Sequence, residues 1–433
     1  MRLSCVLASL AICALLGPAA PPSLALNTPP NLHRPRSSSH KLSDGSHARK
    51  SGTKARAARS SAKAKSSSKA ASRSKSARRG SAAVSRKAAG PRRASLHVRR
   101  HRYYERFTAS SFAKGDIFAD DVTTGEDPVV RQAAIDAMDG MNGTAVVIDP
   151  SNGRILAMVN QKLALSPGAE PCSTIKLSVA LAALSEGIVD KDTMVKLDGF
   201  RMNMTQALAK SNNLYFEELG RELGFDRVHH YANQFGLGEL AGYNIEGEQL
   251  GAYPDEAIPA NEGGVGRMCS FGQGVSMTPL QLGAFVAAMA NGGTLYYLQH
   301  PTSQEQLTAF QPRVKRTLDI ARFVPEMQEG MAGAVEYGTA RRLRASFNEL
   351  PVFGKTGTCS DKGTRFGWFV SFSDTPQGNL VTVFFLEGGR PTFGPRAAEL
   401  TGAFYKNLWD RNWFVGRGPQ QSEAATPVAV DQP

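Results

Sequence analysis

The sequence predicts an α/β domain of α+β type: an antiparallel sheet of about five strands built from both ends of the domain, flanked by helices, plus a mainly helical lobe. Three observations carry this. Runs of β-branched and aromatic residues cluster near 143–159 and again near 352–387. Helical patterns alternating with glycine-rich loops fill the stretch between them. Between residues 34 and 102 the chain has almost none of the large apolar residues that a core requires.

An apolar stretch from about Leu3 to Leu16 follows the single Arg2. It has the length of a signal-peptide h-region and is too short for a comfortable membrane span. Residues 1–26 are therefore expected to be a signal peptide, cut near Ala25, or an uncleaved N-terminal anchor; either exports the bulk of the chain. Residues 27–105 are expected to be a basic, low-complexity, disordered tail. Positions 34–102 hold 22 Lys or Arg against one acid, Asp44, whereas the chain from Tyr103 onward holds 28 basic and 37 acidic residues. The formal net charge of +13 thus belongs to the tail. Such an arm suits anionic envelope polymers or a membrane surface. Nucleic acid is not expected, because no aromatic residues are interleaved for base stacking. Residues 106–142 read as a lead-in, 143–412 as the folded domain, and 413–433 as a flexible C-terminal tail.

Thr144–Ile148 and Arg154–Val159 read as two strands around the Asp149-Pro150-Ser151-Asn152-Gly153 turn. Ser173–Ser185 reads as a helix apolar on nearly all sides, hence a buried central one, ended by Gly187. Further helices are expected over Gln206–Leu223, Arg227–Phe235, Pro279–Ala290 and Phe323–Val335. Strand texture returns at Val352–Cys359, Gly367–Ser373 and Leu380–Glu387, before a closing helix over about Arg396–Trp409. Cys5 and Cys13 leave with the signal peptide. Cys172, Cys269 and Cys359 remain, which in an oxidising compartment suggests one disulfide and one spare thiol.

The candidate chemistry lies in three short elements: Ser173-Thr174-Ile175-Lys176, Ser211-Asn212-Asn213 and Lys355-Thr356-Gly357-Thr358. Ser-x-x-Lys alone is uninformative here, since Ser38, Ser51, Ser60, Ser66, Ser72 and Ser111 also precede a lysine by three. Context singles out Ser173. It opens a buried helix, so Lys176 returns over it one turn later, where burial lowers an ammonium pKa toward that of a useful base. The helix N-terminus offers backbone N–H groups to a developing oxyanion. Taken singly, Ser173 reads equally as an N-cap, Ser211 and Asn213 as caps, and Lys355–Thr358 as an ordinary strand. Gly357 would let a ligand backbone lie close to that strand.

Together, and in this order, the three elements resemble the penicillin-binding protein and serine β-lactamase superfamily. The likeness runs over nearly all of residues 143–410. It includes Val146–Met158, Ser211–Phe216, Phe235–Gly238, Gly247–Pro254, Phe271–Gly274, Thr278–Leu282, Ala290–Gly293, Gly338–Ala340 and Trp368–Val370. The resemblance implies a peptidoglycan D,D-transpeptidase or D,D-carboxypeptidase, with peptidoglycan stem peptides as substrate and β-lactams as inhibitors. In it Ser173 attacks the D-Ala-D-Ala carbonyl and Lys176 takes its proton. Ser211 relays a proton toward the leaving amine with help from Lys355, and Asn213 holds the substrate amide. The N–H groups of Ser173 and Thr358 form the oxyanion hole, worth about 3 to 4 kcal/mol per donor in comparable enzymes. The hydroxyls of Thr356 and Thr358 bind the terminal carboxylate. No metal or cofactor is required, and His229 and His230 read as helix-surface residues.

Two departures stand out: Cys172 and Leu177 occupy positions where such transpeptidases commonly have Gly and often Pro. If Ser173 and Thr358 share one oxyanion, as the resemblance implies, their neighbours Cys172 and Cys359 come within bridging reach, and a disulfide between them is expected. A bridge at the corresponding places is familiar from some class A β-lactamases, so the rival is a serine β-lactamase with Glu246 or Glu248 as its hydrolytic base. The Glu-x-x-Leu-Asn signature of such enzymes is absent. A third reading is a non-catalytic sensor of wall peptides or β-lactams with the same fold.

Overall fold

The computed structural model describes residues 108–375 and 378–415. The expected signal or anchor, the basic tail and most of the C-terminal tail lie outside those residues.

The described chain runs through α1 (Pro128–Ala137), the hairpin β1 (Gly143–Asp149) and β2 (Arg154–Val159), the single turn α2 (Gln161–Ala164), and α3 (Lys176–Ser185). A small hairpin, β3 (Val195–Leu197) with β4 (Phe200–Met202), leads into α4 (Met204–Lys210) and the long α5 (Asn213–Gln234). Then follow α6 (Gly264–Phe271), α7 (Pro279–Ala290), β5 (Thr294–Tyr296), α8 (Gln304–Thr308), β6 (Val314–Thr317) and α9 (Val324–Glu336). The chain closes with β7 (Val352–Asp361), β8 (Thr364–Thr375), β9 (Gly378–Gly388) and α10 (Gly394–Asp410).

The main sheet is five-stranded and antiparallel in the order β2-β1-β9-β8-β7, so the first hairpin pairs with the last strand of the domain as expected. Both faces of this sheet are covered. Val146, Ile148, Val370, Val383 and Phe385 point into one apolar core with α3, α5 and α7, while Ala145, Val147, Phe369, Phe384 and Leu386 point into a second with α1 and α10. Burial on both faces is why these strands read as continuous apolar runs. Helix α3 lies inside the first core, with nine of its ten residues buried, Lys176 among them.

Helix α7 occupies the predicted span because its ends are chemically marked. Pro279 sits at its first position, and Thr278 and Gln281 form a reciprocal capping box. The expected helix Gln206–Leu223 is instead two helices, broken at Ser211 in the left-handed conformation (φ 54°). The segment expected at Arg227–Phe235 is the second half of α5, beyond a non-helical Gly224.

The folded body also extends past its expected bounds. Asp127 caps α1 through the N–H groups of Val129 and Val130, and Val130, Ala133 and Ala134 are fully buried. Trp413 and Phe414 join the same core, and the Trp413 indole donates to Asp127 Oδ2 at 3.1 Å. Thus the lead-in and the first residues of the expected tail clasp each other. Among the described residues no helix is long and apolar enough to cross a membrane.

Replacing Thr278 by Ala removes the acceptor for the Gln281 N–H, 3.1 Å away in a buried setting. The expected cost is about 1 kcal/mol, read as a lower denaturant midpoint with an unchanged slope.

Candidate active site

Ser173 lies in a single 3-10 turn, Cys172–Ile175, that runs into α3 at Lys176. The sequence reading started the α-helix at Ser173, three residues too early. The tighter turn serves the geometry, because a 3-10 helix eclipses positions i and i+3. Lys176 Nζ accordingly stands 2.9 Å from Ser173 Oγ. Cys172, where glycine was the expected neighbour, adopts φ 53°, a left-handed conformation that a glycine would take without strain.

The Ser-Asn-Asn corner divides its labour. Asn212 caps α5 by accepting from the Tyr215 N–H at 2.9 Å, as the plain reading of such a sequence would have it. The residues on either side turn inward. Lys176 Nζ donates to Asn213 Oδ1 at 2.6 Å and to the Ser211 carbonyl at 3.0 Å, and lies 3.3 Å from Ser211 Oγ. The left-handed kink at Ser211 makes this possible by pointing carbonyl and hydroxyl into the same space.

The third element is the outer strand of the main sheet, β7. Lys355 is fully buried, and its Nζ donates to Ser211 Oγ at 2.7 Å and to the Thr356 carbonyl at 2.9 Å. Ser173, Lys176, Ser211, Asn213 and Lys355 therefore form one connected hydrogen-bonded group drawn from three separate elements.

Two amines share this interior. Burial is the main cause lowering the Lys176 pKa from its usual 10.5 to about 7, with Glu217 opposing. Lys355 is held well below the lysine range, first by burial and then by the Lys176 charge. A neutral amine near pH 7 next to a half-buried hydroxyl is a competent proton acceptor.

The threonines and the glycine of β7 take roles that the sequence reading only partly anticipated. Thr356 is buried, and its hydroxyl donates to Thr339 Oγ1 at 2.7 Å. Thr358 is exposed at the strand edge, where its Oγ1 accepts from the Gly394 N–H at 2.8 Å. A Cβ on Gly357 would sit 2.8 Å from the Pro171 carbonyl oxygen and 3.1 Å from Thr174 Cγ2. What approaches Gly357 is the protein's own 171–174 turn, which carries Ser173. Beside it, Cys172 and Cys359 form the expected disulfide, with Cα atoms 5.5 Å apart, and Cys269 is buried and free.

A cleft of about 630 Å³ opens beside this bridge, lined by Ala169, Glu170, Gln273, Asp361, Lys362 and Phe366. Burial raises the Glu170 carboxyl above the usual range, and Asp361 adds to the effect. Sequence reasoning did not single out Glu170, whose carbonyl accepts from the Trp368 indole at 3.0 Å, or Glu217. Neither belongs to a recognisable motif. Glu248 accepts from the Ala241 and Gly242 N–H groups, which ties it into its own loop, and Glu246 is exposed. His229 and His230 lie on the surface of α5; His229 packs against Phe225 and Tyr253.

The sequence model described as the penicillin binding protein transpeptidase domain matches residues 143–406. The chain belongs to this family. Among curated relatives of this penicillin-binding transpeptidase domain, Stage V sporulation protein D of Bacillus subtilis is 28% identical over 317 residues, covering 61% of this chain and 48% of the relative. The peptidoglycan D,D-transpeptidase FtsI of Escherichia coli is 26% identical over 295 residues, covering 59% and 46%. The chain spans about half the length of such relatives. In fold it is similar to Pseudomonas aeruginosa PBP2, with a TM-score of 0.57 at 23% identity over 70% of this chain and 81% of that one. The transpeptidase domain of Burkholderia pseudomallei penicillin-binding protein 3 aligns with a TM-score of 0.57 at 20% identity, over 67% and 96%.

The lysine pKa has a stability consequence for this transpeptidase-family domain. Between about pH 7 and 10.5 the unfolded chain holds a proton on Lys176 that the folded chain has released. Stability therefore rises with pH across that window. Replacing Lys176 by Met is expected to flatten this rise in denaturation midpoints measured from pH 6 to 10. At Gly357, an added methyl must push on backbone, so Gly357→Ala is expected to cost about 1 to 3 kcal/mol, seen as a lowered melting temperature.

Proposed function

We propose that this chain is a peptidoglycan D,D-transpeptidase or D,D-carboxypeptidase that forms an acyl-enzyme on Ser173 with D-Ala-D-Ala stem peptides and is acylated there by β-lactams. The observation that carries the reading is the approach of the buried Lys176 amine, with its lowered pKa, to Ser173 Oγ at 2.9 Å. In this reading Lys176 removes the Ser173 proton as the hydroxyl attacks the penultimate D-Ala carbonyl. Backbone N–H groups of Ser173 and Thr358 receive the oxyanion; the close approach of the 171–173 turn to residues 357–359 supports that pairing.

Collapse of the tetrahedral intermediate requires a proton on the departing D-Ala amine. Ser211, hydrogen-bonded to Lys355 and within reach of Lys176, is the group through which it would travel. Asn213 would leave Lys176 partly free to orient the substrate amide when the groove fills. Thr358, exposed at the strand edge, is assigned the terminal carboxylate. Thr356, whose hydroxyl rests on Thr339 Oγ1, is assigned to the same carboxylate. An extended stem peptide laid along the open edge of β7 would find main-chain partners there, as in strand addition elsewhere. Its acyl-donor side would run toward the cleft at Glu170 and Asp361. The reading further assigns export to residues 1–26 and anionic envelope partners to the basic tail.

The β-lactamase alternative requires a base for deacylation, and the binding of both Glu248 oxygens by backbone N–H groups removes one of the two carboxylates considered for that role. A non-catalytic sensor would need no neutral lysine beside its serine.

Fluorescent penicillin is expected to form a long-lived covalent label on the wild-type chain and none on Ser173→Ala, with peptide mapping locating the adduct. Rapid turnover of nitrocefin without a persistent label would overturn the transpeptidase reading in favour of a β-lactamase. The acylation rate should climb with pH and level off above about pH 7, because only the neutral Lys176 accepts the proton. Lys176→Met should slow acylation by about 10³-fold or more and remove this pH dependence.

A further inference from the structure

The two N–H groups assigned to the oxyanion come from segments that the main chain does not tie together. Strand β7 ends the main sheet and pairs only with β8. The 171–174 turn rests on β7 at Gly357, yet among the described residues no main-chain hydrogen bond joins residues 171–175 to residues 355–361. What joins them is one covalent bridge, Cys172 to Cys359, with Cα atoms 5.5 Å apart across a sequence separation of 187. Each bridged cysteine adjoins one of the two N–H groups in question, Cys172 that of Ser173 and Cys359 that of Thr358.

One further link comes from beside β7. The buried Trp368 of β8 donates its indole N–H to the Glu170 carbonyl at 3.0 Å, which fixes residue 170 but not the peptide that follows Cys172. That peptide has a reason to turn if released. Cys172 holds φ 53°, a conformation that a residue with a side chain keeps only where its surroundings hold it there. The Ser173 N–H belongs to the peptide unit that the φ and ψ of Cys172 orient. Relaxation of Cys172 to negative φ swings this N–H, while the apolar cores on both faces of the sheet stay packed.

We propose that Cys172 and Cys359 are a positioning pair for acylation: their bridge holds Cys172 in its left-handed conformation and so keeps the Ser173 N–H converged with that of Thr358. The inference rests on the acyl-enzyme reading above. It assigns the bridge to the rate of bond formation at Ser173, not to binding of the acyl donor and not to proton removal by Lys176. Loop closure alone would also stabilise the whole domain. Positioning differs from that general effect because it depends on the backbone conformation at residue 172, which glycine adopts without strain.

The test follows acylation of the full chain by fluorescent penicillin up to saturation, which separates the limiting rate from the noncovalent dissociation constant. Near-UV circular dichroism gives the folded fraction, and rates are taken per folded molecule. Cys172→Ser with Cys359→Ser should slow the limiting rate about 10- to 100-fold, with the dissociation constant within about two-fold of wild type and the pH midpoint of acylation unchanged. Cys172→Gly with Cys359→Ser removes the same bridge and should recover about three-fold or more of the lost rate. Wild-type chain in reductant, with both thiols counted by mass, should slow like the first double variant and regain its rate on reoxidation. An unchanged limiting rate in the first double variant overturns the proposal, as does a second double variant no faster than the first. Loss of the near-UV signal in both double variants and in the reduced wild type leaves the bridge a stability element only and also overturns it. A wild-type chain that takes no label at Ser173 refutes the acyl-enzyme reading itself, whereas a labelled wild type with equally fast double variants refutes the role of the bridge alone.

Discussion

Two lysine amines placed in an apolar interior, joined through one serine hydroxyl, are the constraint around which this domain is organised. Neither Lys176 nor Lys355 can reach solvent, and both lie against Ser211. Desolvation disfavours a charge on each and the other's proximity disfavours two. The cheapest arrangement has at least one amine neutral near pH 7, with every remaining N–H turned toward an oxygen. The surrounding elements meet that demand: the carbonyl of Ser211, the amide oxygen of Asn213 and the carbonyl of Thr356 all accept from these amines. A buried polar network is tolerable only when it is this fully satisfied.

Satisfying it dictates much of the backbone. Ser211 adopts a left-handed conformation so that only two residues separate α4 from α5, with Asn212 free to cap. The turn that carries Ser173 presses on β7, which makes any side chain at Gly357 costly. The sheet then places β7 at its edge, leaving Thr358 open while Lys355 stays sealed. Pairing the first hairpin with the last strand closes the domain, and the clasp between Asp127 and Trp413 ties the two ends of the described chain beside α1.

Most of this architecture was legible because long apolar segments with clear ends leave few choices. Pro279–Ala290 carries a proline start and a capping box, and its bounds agree between sequence and structure. The five strands follow from two clusters of β-branched residues. The errors share one origin, which is that local pattern does not record where a tertiary contact overrides it. Helical periodicity continues through Ser211, although the buried lysines require a break there. The start of α3 was misplaced because a 3-10 turn and an α-helical turn have the same composition. The lead-in looked like a linker because α1 is alanine-rich and its only strong signal is the Asp127-Pro128 cap. Ser173, Lys176, Ser211, Asn213 and Lys355, singled out by order and spacing, lie together in one hydrogen-bonded group. Glu170 and Glu217 were not singled out, since they come near these groups only once the chain folds.

The third cysteine gives the domain a schedule. Cys269 is wholly enclosed between α5 and α6, and burial pushes its thiol up to about 12, so in the finished fold it is neither reachable nor nucleophilic. In an unfolded chain it is an ordinary thiol that competes with Cys172 and Cys359 for a bridge. Correct pairing is thus decided by whichever comes first, the oxidant or the packing of α6 on α5. Among the described residues, a chain that collapses before it meets oxidant has only Cys172 and Cys359 left to join.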